Sequence, residues 1–161
     1  MNDKGKKRVL MVCLGNICRS PTAEGMLRHL LLATPELQVE VDSAGIADYH
    51  AGDPPDARSQ RAALRRGIDL SGLRARQVTP GDFARFDLIL AMDCDNLARL
   101  EAMRPARSRA KLRLFLEYAA QNLGRLEVPD PYYGDARVFD EVLDLCAAAS
   151  RGLILALQEV T

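Results

Sequence analysis

Short apolar runs alternate with polar stretches punctuated by glycine and proline along the 161 residues of this chain. Val9-Leu10-Met11-Val12 is an unbroken apolar run ending at Cys13, the pattern of a strand buried on both faces. Leu14-Gly15-Asn16 supplies turn residues, and Ser20-Pro21 opens a helix, with serine suited to the N-cap and proline to the first helical position. From residue 22 to about 33, Met26, Leu27, Leu30 and Leu31 recur at helical spacing until Thr34-Pro35 stops the run. Val39 and Val41 alternate with polar neighbours, which predicts a second strand ending at Ser43-Ala44-Gly45.

A turn-rich stretch covers residues 46–55, followed by a helix over 56–66 that Gly67 stops. Thr79-Pro80-Gly81-Asp82 opens a short helix, residues 86–92 read as a third buried strand and 96–103 as another helix. Residues 112–116 fit a fourth strand or a helix start, and periodicity alone does not decide between them. Two prolines and a glycine make 128–134 a loop, and a long helix from 138 to about 157 carries Leu143, Cys146, Leu153 and Leu157 among its apolar positions. Strand and helix alternate, with a buried strand first. That order predicts an α/β fold: a small doubly wound parallel sheet with helices on both faces. Ligands bind such sheets at the carboxyl ends of the strands, where Cys13, Ser43 and Met92-Asp93 fall.

Composition narrows the class. A chain of this length that is 48% hydrophobic and 27% charged predicts one domain over residues 1–161 with a core that needs no staples. Lys plus Arg and Asp plus Glu both number 22, a balance that argues against nucleic-acid or membrane-surface partners. The four cysteines, Cys13, Cys18, Cys94 and Cys146, are too scattered for a disulfide scaffold. Residues 1–8 are polar and mostly basic, and the apolar run after them is too short for a signal peptide. No stretch is long enough to span a membrane, so the expectation is a cytoplasmic protein with reduced thiols.

The chemistry concentrates in Val12-Cys13-Leu14-Gly15-Asn16-Ile17-Cys18-Arg19-Ser20-Pro21, between a strand and a helix N-terminus. Backbone N–H groups of such a loop converge on an anion, and the helix end adds partial positive charge. Arg19 supplies a planar fork of donors for two phosphate oxygens. Cys13 sits at the base of this cup, where positive surroundings favour the thiolate. A thiolate beneath an anion cup suits in-line attack on phosphorus. The two-glycine, lysine pattern of a nucleotide phosphate loop is absent. Cys13 and Cys18 lack the second pair or spaced histidine of a zinc site, so neither metal nor cofactor is expected.

This segment resembles the signature loop of the low-molecular-weight protein tyrosine phosphatases. Asp42-Ser43-Ala44-Gly45, Gly52-Asp53-Pro54-Pro55-Asp56, Ala75-Arg76-Gln77 and Asp130-Pro131-Tyr132-Tyr133-Gly134 also match that family's blocks, in its order. The resemblance implies a four-stranded parallel sheet and hydrolysis of phosphotyrosine in proteins or peptides, with small phosphate esters also accepted. It implies Cys13 as nucleophile, Arg19 as phosphate clamp, and Asp130 as general acid and then base. Leu14, Gly15, Asn16, Ile17, Cys18, Arg19 and Ser20 would bind phosphate. Asn16, Ser20 and Ser43 would support the loop, with Ser20 donating a hydrogen bond to the thiolate. Tyr132 would form one cleft wall and Tyr49 the other, with Tyr133 assigned to the same cleft. Cys18 would form a reversible disulfide with Cys13 under oxidation. A thiolate and a protonated carboxyl acting together predict a bell-shaped rate profile centred on mildly acidic pH.

Many relatives carry a histidine two residues before the Ala-Arg-Gln block, bracing the loop through the Asn and Ser partners. Leu73 stands there in this chain, which predicts a brace that is weaker or replaced by water, with catalysis intact. Other positions keep blander readings. Asp130 is also a turn former before Pro131, Asp93 a supporting group or a helix cap, and Cys94 and Cys146 structural. His29 and His50 read as surface residues. Arsenate reductases share the scaffold but need a relay of further cysteines, and only Cys94 lies near the third strand. Arginine phosphatases of this family carry threonine where this chain has Ile17, whose apolar side chain suits a flat phenyl ring. A catalytically silent phosphate binder would not need Cys13, Arg19 and Asp130 together.

Overall fold

The computed structural model describes residues 5–159, so residues 1–4 of the basic N-terminal stretch and residues 160–161 of the expected domain lie outside the described residues. Four strands, β1 (Lys7–Cys13), β2 (Val39–Gly45), β3 (Leu88–Ala91) and β4 (Lys111–Leu114), form one sheet in the order β2-β1-β3-β4. All three pairings are parallel, with Cys13 opposite Gly45 and Val12 opposite Ala91. Five helices connect and cover the strands: α1 (Arg19–Leu31), α2 (Ala57–Leu64), α3 (Asp82–Arg85), α4 (Cys94–Met103) and α5 (Ala136–Glu159).

The unbroken apolar run of β1 has its reason in two cores. Val9, Met11 and Cys13 turn to one face, where Met26 and Leu27 of α1, Ala62 and Ala63 of α2, and Leu143 and Leu153 of α5 meet them. Leu10 and Val12 turn to the other, against Phe83 of α3 and Leu100 of α4. Leu88 with Leu90, and Ile89 with Ala91, divide in the same way along β3. Burying each such leucine contributes about 1.5–3 kcal/mol. The edge strand β4 instead alternates, with Lys111 and Arg113 exposed and Leu112 and Leu114 buried, a charge pattern that protects an open edge.

Residues 112–116 satisfy both of their readings in succession, because β4 runs directly into a 3-10 helix over Phe115–Tyr118. The opening of α1 differs from expectation. The helix begins at Arg19, with Cys18 as an N-cap that makes no side-chain capping bond. Ser20 therefore lies inside the first turn, its hydroxyl committed elsewhere, and Pro21 sits where no N–H is needed. The chain leaves β1 toward α1 on one face and β3 toward α4 on the other, so the crevice of this doubly wound sheet opens above Cys13 and Asp93. Gly45 lets the loop after β1 lie directly on the end of β2, since a Cβ there would meet the Leu14 carbonyl oxygen at 2.9 Å. No helix among the described residues is long and apolar enough to cross a membrane.

Candidate active site

The loop between β1 and α1 is organised around Asn16, which sits at φ 59° in the left-handed region, a conformation that asparagine tolerates better than most residues. Its backbone N–H points to Cys13 Sγ at 3.3 Å. Its Oδ1 accepts from the Arg76 backbone N–H at 3.0 Å. That leaves Nδ2 to donate to Ser20 Oγ at 2.8 Å and Ser43 Oγ at 3.0 Å. Ser43 Oγ donates in turn to Glu24 Oε1 at 2.7 Å. Ser20 Oγ, already accepting from Asn16, lies 3.0 Å from Cys13 Sγ, placed to donate its hydrogen when that sulfur is a thiolate. The chain of donors thus runs toward the cysteine sulfur. Since α1 has no side-chain cap and no acidic residue in its first turn, its leading amides remain available to an anion.

Arg19 is buried, and Asp93 orients it: Nη1 donates to Asp93 Oδ2 at 2.6 Å and to the Val128 carbonyl at 3.2 Å. Burial by itself would lower the guanidinium pKa, but the nearby Cys13 and Asp93 more than offset it, so the charge is reinforced. Asp93 fulfils both of its readings, because its other oxygen caps α4 by accepting from the Asn96 N–H at 2.7 Å. Arg19 Nη2 lies 3.7 Å from Asp130 Oδ2. Asp130 also forms the expected turn, accepting from the Tyr132 N–H at 3.1 Å.

These groups line a cleft of about 240 Å³. Cys13, Leu14, Gly15, Ile17, Cys18 and Arg19 of the loop after β1 form its floor, and Tyr49 and His50 from the segment after β2 and Asp130, Tyr132 and Tyr133 from the loop before α5 complete its lining. Tyr133 is 93% exposed and meets Tyr132 edge-on with ring centroids 4.9 Å apart. Asn16, Ser20 and Ser43 stand behind the floor, as supports. His29 is on the surface as expected, but His50 is half-buried and lines the cleft. Its ring lies over Gly15, where a Cβ would come within 3.1 Å of it.

All four cysteines are free thiols. Burial pushes Cys18 and Cys146 up to about 12 each. Cys146 is a core residue as expected, whereas Cys94 is exposed at the start of α4, so packing does not explain it. Leu73 lies away from the cleft floor, in a separate surface pocket beside Glu24 and Arg28. Glu24, which the sequence reading did not single out, closes the network at Ser43. Its carboxyl is raised by burial, with Arg28 Nη2 2.7 Å away as counter-charge. One available signal was its place four residues after Ser20, on the same face of one helix. Arg76 was visible only as part of a sequence block, yet its backbone fixes the orientation of the Asn16 amide. Among the described residues, no group of three or more His, Cys, Asp or Glu side chains is arranged to hold a metal ion.

A sequence profile of the low molecular weight phosphotyrosine protein phosphatases matches residues 8–161. The human low molecular weight phosphotyrosine protein phosphatase is 41% identical over 157 residues, spanning 96% of this chain and 98% of the human one. The crystal structure of a protein tyrosine phosphatase from Entamoeba histolytica, with Hepes in the active site, superposes with a TM-score of 0.90 at 36% identity. That match covers 95% of this chain and 97% of the other. A Drosophila arginine phosphatase superposes with a TM-score of 0.86 at 30% identity, over 92% of this chain and 96% of its own.

Proposed function

The chain belongs to the low molecular weight phosphotyrosine protein phosphatase family and is a protein-tyrosine-phosphatase, and from that premise we propose how its residues divide the reaction. Residues 1–161 act as one catalytic domain. The amides of residues 14–19 and the Arg19 fork take the phosphoryl oxygens. Cys13 attacks phosphorus, forming a phosphocysteine, while Asp130 protonates the departing phenolate oxygen. Asp130 then takes a proton from water, which cleaves the S–P bond, and Ser20 stabilises the departing thiolate. The observation that carries this reading is convergence: Ser20 Oγ lies 3.0 Å from Cys13 Sγ, and Arg19 lies within 3.7 Å of Asp130. Tyr49 and Tyr132 flank the phenyl ring of a phosphotyrosine. Cys18, buried beside the floor, captures a peroxide-oxidised Cys13 as a disulfide, releasing water.

Replacing Cys13 by serine tests nucleophile and reaction class together. Turnover of p-nitrophenyl phosphate should vanish while calorimetric binding of inorganic phosphate persists, and retained turnover would overturn the mechanism. Likeness to an arginine phosphatase gives one rival substrate, phosphoarginine. Ile17 lines the cleft with apolar surface, which supports phosphotyrosine. Peptides carrying each modification, compared at equal concentration, should favour phosphotyrosine, and the reverse order would assign the rival.

A further inference from the structure

Arg58 takes no part in the mechanism above, yet it bonds to Tyr132 of the cleft and to Asp56, which in turn bonds to Ile17 in the loop after β1. It stands in the first turn of α2, whose N-cap Asp56 donates its backbone N–H to the Ile17 carbonyl at 2.8 Å. The Asp56 carboxylate grips the guanidinium at two points, Nε at 3.1 Å and Nη2 at 3.0 Å. The same Nη2 donates to the Tyr132 carbonyl at 2.9 Å. The guanidinium also lies 5.6 Å from the Tyr132 ring centroid and 4.8 Å from that of Phe139, near the start of α5, within the range of cation–π attraction. One short helix end thereby ties the phosphate-binding loop to the loop that carries Asp130.

That tie matters because of how the Asp130 loop is otherwise held. Val128, on its near side, is fixed by bonds to Met92 and Arg19. Beyond it, the hydrogen bonds among residues 130–134 are local turns, Tyr132 to Asp130 and Gly134 to Pro131. The polar ties of residues 130–133 to the rest of the described protein are the 3.7 Å contact of Arg19 with Asp130 and the bond from Arg58. We propose that Arg58, held by Asp56, is a positioning residue that sets the height of Asp130 and the tilt of Tyr132 above Cys13. The inference rests on Asp130 being the general acid.

The step it serves forms the S–P bond, breaks the P–O ester bond and moves the Asp130 proton to the leaving oxygen. A displaced acid therefore harms esters in proportion to their need for that proton. Phenolate needs it, whereas p-nitrophenolate departs readily without one. The test compares kcat/KM for phenyl phosphate and p-nitrophenyl phosphate in the wild type, Arg58→Ala and Asp130→Ala. Arg58→Ala should lower the phenyl to p-nitrophenyl ratio roughly tenfold, and leave inhibition by inorganic phosphate within about twofold. Arg58→Met, which keeps an unbranched side chain but none of the donors, carries the same expectation should the alanine variant fold poorly. Arg58→Lys, which retains one donor but not the fork, should fall between. An equal loss on both esters would mark Arg58 as merely structural and overturn the proposal. A shifted ratio in Asp130→Ala beside an unshifted one in Arg58→Ala would overturn it alone. An unshifted ratio in Asp130→Ala would overturn the acid assignment itself.

Discussion

Asp93 uses its two carboxylate oxygens for different purposes, one to hold Arg19 and one to cap α4. The two can be separated by substitution. Asp93→Asn keeps a competent cap but loses the charge that orients the guanidinium, so it should melt near the wild type while binding inorganic phosphate more weakly. Asp93→Ala loses both, and should also lose about 1 kcal/mol of stability. Calorimetry with phosphate, alongside thermal melts, checks the pair, and equal melting of the two variants would contradict the capping role. At this scale the proposed reacting groups were legible because Cys13, Arg19 and Asp130 are chemically distinctive residues at strand and loop ends. Glu24 was not, because a glutamate inside a helix ordinarily reads as solvent-facing. Its role arises only when Ser43, from a strand paired with β1, is brought beside α1. His50 was hidden similarly: its place over Gly15 depends on how the loop after β2 folds back across the cup.

The first three strands and the long helices followed from periodicity, since each is covered on the faces its apolar positions mark, whereas for residues 112–116 periodicity left strand and helix start both open. Where the pattern failed, a side chain had been recruited by the site. Ser20 looks like a cap, but its hydroxyl faces Cys13, and the helix begins two residues earlier than that cap would place it, without a side-chain cap. Packing of α5 gives a sharper test of element contacts. Gly152 lies so close to the backbone carbonyl of Tyr118, at the end of the 3-10 helix, that any Cβ would collide with it. Backbone cannot yield as a flexible side chain can. Gly152→Ala should therefore cost about 1–3 kcal/mol despite alanine's better helix propensity. Gly72, with nothing within 4 Å of a Cβ, is the control, and equal melting temperatures for the two alanine variants would contradict the close approach.

A net charge of zero conceals a molecule with pronounced local fields, and also one with two hidden acids. Cys18 and Cys146 ionise near 9.0 when unperturbed but at about 12 in the fold. Between those values the unfolded chain releases protons that the folded chain retains, so stability falls as pH rises through that window. Each thiol steepens the fall by up to about 1.4 kcal/mol per pH unit. Melting temperatures taken from roughly pH 8 to 11 should decline, and less steeply in Cys146→Ala; parallel slopes would mean the thiol is not shielded. The whole molecule also carries a constraint of time. Arg19 finds its carbonyl partner 109 residues later, at Val128, and Arg58 finds Tyr132 74 residues on. The loop that carries Cys13 and Arg19 and the loop that carries Asp130 therefore leave the ribosome far apart. If Cys13 and Asp130 act as proposed, a chain still being translated holds its nucleophile for most of synthesis without the acid that protonates the leaving oxygen. On that reading, hydrolysis of phenyl esters waits until the segment carrying Asp130 has emerged and docked.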